Sequence, residues 1–227
     1  MKSLTPLNSG TRHLFRPACA GGLALLLCGC SSDGSAEWDG LYQMIKAQVQ
    51  RPAAVTLDNA AAIPYATLGF RVDGGPESIA VLATDDGAQK MWASGKTVTL
   101  VTIDGRIQRT VGLEHNLSWT TGLTSNSTLE SWLRPHRTSW TADYNETSRY
   151  GIQITCDERP AGNETIVVLG TRISTVRIEA RCASTSLNWT FTDVYWVGRL
   201  DGVLWRSIQY IHPSLGPIEL ETLRPPG

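Results

Sequence analysis

Asp201-Gly202 stands between two runs of β-forming residues, and the stretch from Val194 to Pro213 constrains the fold more than any other part of the chain. A two-residue Asp-Gly loop between alternating strands is a strong hairpin signal, because both positions tolerate the positive φ that a tight reverse turn demands. With a two-residue loop, Gly198 falls opposite Trp205 and Trp196 opposite Ser207. Alternation then places Trp196, Gly198, Trp205, Ser207 and Gln209 on one face, and Tyr195, Val197, Leu204, Arg206, Ile208 and Tyr210 on the other. Gly198 leaves room for the Trp205 indole. A long, two-sided hairpin of this kind belongs in the middle of a sheet, so the rest of the fold is expected to be built on it.

Period-two segments recur along most of the chain. Tyr65–Val72 and Ser78–Thr84 form a hairpin, Asp85-Asp86-Gly87 a turn, and Trp92 a short connection. Lys96–Ile103 and Arg106–Leu113 form a second hairpin around Asp104-Gly105. Its pairing sets Val98, Leu100, Thr102, Ile107, Arg109 and Val111 on one face. The two Asp-Gly hairpins correspond at a fixed offset: Asp104-Gly105 falls on Asp201-Gly202, Arg109-Thr110 on Arg206-Ser207 and Trp92 on Trp189. This is an internal repeat or the independent use of a common turn. Strand patterns resume at Arg137–Tyr144, Ser148–Cys156, Thr165–Thr171, Val176–Cys182 and Leu187–Arg199. Between the two groups, the Ser/Thr/Asn-rich segment Glu114–Pro135 carries Trp119 and Trp132, and Ser127 with Glu130 resembles the capping box of a short helix. Trp38–Arg51, with Trp38, Leu41, Ile45 and Val49 at helical spacing, reads as the one clear helix, ended by Pro52. The expectation is a mainly β fold: a meander of about eleven or twelve antiparallel strands, curled into a half-barrel or partly open barrel, with one N-terminal helix packed at its mouth.

The N-terminus reads as a leader. Lys2, Arg12 and Arg16 precede a short apolar run that ends in Leu27-Cys28-Gly29-Cys30, and no acidic residue occurs before Asp33. The run is too short to cross a bilayer but suits a signal-peptide core, and its last four residues resemble a bacterial lipobox. The predicted organisation is a signal peptide over residues 1–29, a lipidated tether over 30–36 starting at Cys30, and a single β-rich periplasmic domain over 37–227. Ser31, rather than Asp, after the cysteine favours the outer membrane. Of the five cysteines, Cys156 and Cys182 then remain as an even pair in an oxidising compartment, a disulfide candidate. They fall near the ends of the first and third strands of a three-strand meander. Two buried free thiols are the alternative.

The residues offer little chemistry. Of 20 Lys and Arg, three lie in the leader, leaving 17 against 21 Asp and Glu, and no basic stripe is present for nucleic acid. His115, His136 and His212 are isolated, and no metal-binding, phosphate-binding or nucleophile motif occurs, so neither a cofactor nor a metal is expected. Two features could bind something. Eight tryptophans are many for this length. Trp196 and Trp205 are expected to pack, whereas Trp119, Trp132 and Trp140, in or beside the polar region, could pack or stack on a sugar ring. Arg109 and Arg206 fall on apolar faces, and a buried arginine needs either an internal carboxylate, such as Glu179 or Asp143, or an anionic ligand.

Tyr195-Trp196-Val197, Asp201-Gly202, Leu204-Trp205-Arg206-Ser207, Gln209, Pro213 and Leu223-Arg224-Pro225-Pro226 together resemble the YjbF/GfcB family. Trp92, Asp104-Gly105-Arg106-Ile107 and Thr110-Val111-Gly112-Leu113 extend the resemblance upstream, so that it covers most of the chain after residue 50. The resemblance implies an outer-membrane lipoprotein that serves group 4 capsule or exopolysaccharide assembly or export without catalysis. It also implies an outer-membrane β-barrel among its partners and polysaccharide as a possible contact. Two other classes compete: a periplasmic lipid or lipoprotein carrier, which needs a continuous apolar cavity, and a polysaccharide hydrolase, which needs two inward carboxylates in a cleft.

Overall fold

The computed structural model describes residues 57–95, 97–123 and 128–227. The predicted leader, the predicted lipidation site Cys30, the predicted tether, the predicted helix over Trp38–Arg51 and the predicted cap Ser127 lie outside the described residues. Within them the order is α1 (Leu57–Ala61), β1 (Thr67–Val72), β2 (Ser78–Asp86), β3 (Gln89–Ser94), β4 (Val98–Ile103), β5 (Arg106–Val111), β6 (Trp119–Thr121), α2 (Leu129–Leu133), β7 (His136–Tyr144), a 3-10 turn (Asn145–Thr147), β8 (Arg149–Val168), β9 (Thr171–Ser184), β10 (Trp189–Gly198), β11 (Leu204–Gln209) and β12 (Ile218–Arg224).

The twelve strands make one antiparallel sheet in the order β5-β4-β3-β2-β1-β12-β11-β10-β9-β8-β7-β6, nearly closed into a barrel. The β10–β11 hairpin is central, as expected of a long, two-sided hairpin. The sheet ends approach each other where the chain leads from β5 into β6: the Thr110 N–H donates to Leu117 O at 2.8 Å, and the Leu117 N–H to Thr110 Oγ1 at 2.9 Å. Near-closure leaves little free strand edge for pairing with other chains.

Two apolar clusters follow from the alternation. The larger fills the barrel and includes Leu68, Trp92, Leu100, Trp132, Trp140, Ile154, Ile178, Tyr195 and Val197. The smaller lies on the opposite face of β10–β12, where Val194, Trp196 and Leu223 are covered by Ala60 of α1 and by Ile166 and Val168 of the far end of the β8–β9 hairpin. Arg224 fastens the end of α1 and the segment after it by donating to Ala61 O at 3.4 Å and Ile63 O at 2.6 Å. Among the described residues, the helix that reaches into the barrel is α2, which buries Trp132 and is capped by Thr128, whose side chain accepts the Ser131 N–H at 3.2 Å. The cap therefore sits one residue after the predicted Ser127.

Several sequence readings are corrected. Trp92 lies in a strand, β3, rather than a connection. Ser148–Cys156 and Thr165–Thr171 are parts of one strand, β8, because Pro160-Ala161-Gly162 forms a bulge and not a loop: pairing resumes after a register shift, with Gly162 at φ 127°. No middle strand therefore separates Cys156 from Cys182. They are direct partners across β8 and β9, bonded through sulfur with Cα atoms 4.0 Å apart.

Both Asp-Gly hairpins carry a bulge that reverses faces beyond it. In β5, Ile107 pairs with Thr102 but Arg109 with Val101, so Gln108 is extra and Arg109 turns outward, exposed, instead of lying among apolar neighbours. In β11, Leu204 pairs with Val197 but Arg206 with Trp196, so Trp205 is extra. Ser207 and Gln209 thereby turn into the barrel, while Arg206 and Ile208 join Trp196 outside. The turns also differ. Asp104-Gly105 is the expected two-residue loop, whereas the second turn has four residues, closed by the Gly198 N–H donating to Val203 O at 2.8 Å. Gly198 is still required for space: a Cβ there would lie 2.0 Å from Asp201 Oδ1 and 2.9 Å from Trp205 Nε1.

Candidate functional site

The interior polar groups form one connected arrangement at the level where β5 faces β8, β10 and β11. Arg106, the first residue of β5, points inward and makes a two-pronged pair with Glu158 of β8, Nη1 to Oε1 at 2.8 Å and Nη2 to Oε2 at 2.6 Å. Arg106 is 5% and Glu158 2% exposed, so the pair is out of bulk water. Its guanidinium lies 4.6 Å from the Trp132 ring centre and 5.0 Å from that of Tyr195. Glu158 also accepts from Thr138 Oγ1 at 2.9 Å. Burial opposes ionisation of Glu158, but the Arg106 hydrogen bonds and charge outweigh it and hold its pKa below the usual value.

Asp193 of β10 shares this interior. Its carboxylate accepts the Tyr195 hydroxyl at 3.2 Å and the Tyr210 N–H at 2.8 Å. Burial pushes its pKa up to about 7, with those hydrogen bonds and Arg106 pulling the other way. Gln209 of β11 completes the set. Its Oε1 accepts the Ile107 N–H at 2.8 Å, and its Nε2 donates to Gly105 O and Ser207 Oγ, each at 2.8 Å. A side chain from the middle of the sheet thus satisfies backbone groups of the strand at its end. The space between these groups is a cavity of about 20 Å³, room for little more than a water molecule.

A larger cavity, about 210 Å³, opens at the end of the barrel where the two Asp-Gly turns meet. Leu68, Trp92, Trp132, Leu204 and Leu220 supply its apolar walls. Gly105, at φ 79°, lets the turns touch: a Cβ there would fall 2.4 Å from Leu204 Cδ2.

The other predicted residues are distributed as follows. Trp132 and Trp140 are core residues at 2% and 8% exposure, so neither offers a face at the outer surface, although an edge of Trp132 lines the cavity at the barrel's end; Trp119, at 38%, does reach the surface of β6. Trp196 is buried in the outer cluster, and Trp205 is half-buried with its Nε1 donating to Asp201 Oδ2 at 3.1 Å. Arg206 is held by Glu221, Nε to Oε2 at 2.8 Å, and by Val167 O at 2.9 Å. Its partner is therefore neither Glu179, which pairs with Arg177 and Arg181, nor Asp143, which accepts the Gly151 N–H. Pro213 is exposed in the β11–β12 connection. Beside it, His212 stacks on His115 at 4.7 Å. No group of three or more His, Cys, Asp or Glu among the described residues is placed to hold a metal.

Sequence reasoning missed Arg106, Glu158 and Asp193. Arg106 follows directly on Asp104-Gly105, and a charged residue at the first strand position after such a turn is the signal that was available. Nothing in the sequence marked Glu158 or Asp193 as inward, because both lie in long strands whose alternation includes charges on either side.

The family described as "Group 4 capsule polysaccharide lipoprotein gfcB, YjbF" matches residues 34–223. Two curated relatives from Escherichia coli (strain K12) align over most of the chain. The uncharacterized lipoprotein GfcB is 24% identical over 216 residues, covering 93% of this chain and 99% of its own length. The uncharacterized lipoprotein YjbF is 24% identical over 210 residues, covering 89% and 94%. The crystal structure of the hypothetical lipoprotein YmcC from Escherichia coli (K12) superposes with a TM-score of 0.71 at 22% identity, covering 83% of this chain and 95% of that one, and so has the same fold.

Proposed function

The chain belongs to the YjbF family of group 4 capsule polysaccharide lipoproteins, and on that premise we propose that it is a non-catalytic, lipid-anchored accessory of capsule or exopolysaccharide assembly or export. On this reading Cys30 carries the lipid, the anchor is in the outer membrane, and the β domain faces the periplasm beside an outer-membrane β-barrel partner. The observation that carries the non-catalytic part is the state of the inward carboxylates. A glycosidase needs two carboxyl groups flanking a cleft with room for a sugar and water. Glu158 and Asp193 instead share a cavity of about 20 Å³, Glu158 locked to Arg106 and Asp193 hydrogen-bonded to Tyr195 and Tyr210. Contact with polymer falls to the surface, where Trp119 is the exposed member of the three candidate tryptophans.

The test is deletion of the gene and complementation with the full chain, reading surface polysaccharide and membrane fractionation. Wild type restores the polymer. Cys30→Ser leaves the membrane fraction and fails to restore it. Unchanged surface polysaccharide on deletion would refute the role, and depolymerisation by the purified protein would refute the absence of catalysis.

A further inference from the structure

The cavity between the two Asp-Gly turns has walls suited to one class of ligand. Leu68, Trp92, Trp132, Leu204 and Leu220 present hydrocarbon and aromatic surface. The polar side chains around it are already engaged. Lys90 is held by Asp85 and Gly87 O, Thr102 accepts the Trp92 indole N–H, and Arg206 is paired with Glu221. Ser207 accepts from Gln209, Thr222 donates to Leu204 O, and Asp104 has its own partner. A buried sugar ring would bring several hydroxyls, each needing a hydrogen bond that these occupied groups do not readily supply, and an unpaired buried hydroxyl is costly. An alkyl chain brings no such demand. An apolar cavity of about 150 Å³ suffices for benzene, and 210 Å³ equals the room of about seven water molecules at ~30 Å³ each. That is smaller than the usual site for a whole small molecule, so the space fits the end of one chain and not an entire lipid.

We infer that the barrel mouth is a binding site for the end of a single unbranched alkyl chain, entering between the turns at Asp104-Gly105 and Gly202-Val203-Leu204 and resting on Trp92 and Trp132. The inference is independent of the role in polysaccharide export, and only the arm that tests the protein's own acyl chain rests on the proposed lipidation of Cys30. The chain could come from a membrane lipid or from the acyl group on Cys30 of the protein itself. Leu204 is the gatekeeper, because it packs against Gly105 at the opening.

The full-length Cys30→Ser protein, purified without detergent, is titrated with hexanoate, octanoate, decanoate and dodecanoate below their micellar concentrations, and with ω-bromododecanoate as a contact quencher of tryptophan fluorescence. Affinity should tighten by about fourfold per methylene until roughly seven carbons are buried and then flatten. The bromine should quench emission, and Trp92→Phe should reduce the quenching. Leu204→Phe, which narrows the opening, should weaken binding about tenfold. Leu204→Ala should move the plateau to a longer chain and decides the matter alone if Leu204→Phe does not melt cooperatively. Quenching in Cys30→Ser but not in lipidated wild type identifies the protein's own acyl chain as the occupant; quenching in both identifies another lipid. Affinity independent of chain length, or an unchanged plateau and unchanged quenching in the Leu204 and Trp92 variants, means adventitious association of an amphiphile and overturns the site.

Discussion

The two Asp-Gly hairpins follow one local pattern and end in opposite situations. Each has a bulge four residues past its aspartate, at Gln108 and Trp205, then an outward arginine, then an inward hydroxyl, at Thr110 and Ser207. The β10–β11 hairpin lies mid-sheet with a ladder on both sides. The strand β5 lies at the sheet's end, with a ladder only to β4. The residue after each turn's glycine marks the difference: Val203 in the central hairpin, Arg106 in the terminal one. The central strand is held by its neighbours. The terminal strand is held through the interior, by Arg106 to Glu158 and by Gln209 to Gly105 and Ile107. The lesson is that a repeated motif fixes local geometry, while its place in the sheet decides which residue carries the stability.

The largest expected effect comes from breaking the inner latch. Arg106→Met leaves Glu158 buried without its counter-charge and should cost about 3–5 kcal/mol, a large share of an ordinary domain's stability. Denaturant melts measure it. Next is Gln209→Leu, which strands the Ile107 N–H and the Gly105 carbonyl and should cost about 2–3 kcal/mol. Hydrogen exchange should show that loss concentrated in β5 rather than in β11.

Asp193 adds a pH dependence on the same side of the comparison. Its folded pKa of about 7 lies above the ordinary 3.8, so the folded state holds the proton more tightly than the unfolded chain. Its stabilising contribution is full below about pH 4 and is lost as the pH rises through about 7, at up to about 1.4 kcal/mol per pH unit. Asp193→Asn should flatten that slope. The smallest effect belongs to the outer arginine. Arg206 and Glu221 are partly exposed, at 33% and 21% of their side chains, and solvent-screened, so Arg206→Ala should cost only about 1 kcal/mol or less, measured by the same melts.

Much of the fold was legible because it rests on period-two alternation and turn chemistry. The antiparallel meander and the central place of the last hairpin follow from those, whereas the strand inventory does so only in part, since β3 reads as a connection and β8 as two strands. Register beyond the bulges was not legible. An extra residue in one strand leaves no mark on composition or on the sequence pattern, yet by breaking the alternation of faces it sent Arg109 outward and Gln209 inward. The Pro160-Ala161-Gly162 bulge hid the continuity of β8 for a related reason, since Pro and Gly inside a strand read as a break. Of the candidate site, the glycine that lets the turns pack, Gly105, was visible as part of an Asp-Gly pair. The partner of Arg106 was not, because Glu158 meets it only after eight strands have curled the sheet back on itself.

The central claim is that the inner arginine holds the barrel's end strand and the outer one does not. A pair of double-mutant cycles in the full chain, Arg106→Met with Glu158→Gln and Arg206→Met with Glu221→Gln, measures it directly. The account predicts a coupling of about 2 kcal/mol or more for the inner pair and under about 0.5 kcal/mol for the outer pair. Equal couplings, or a larger one for the outer pair, would contradict it.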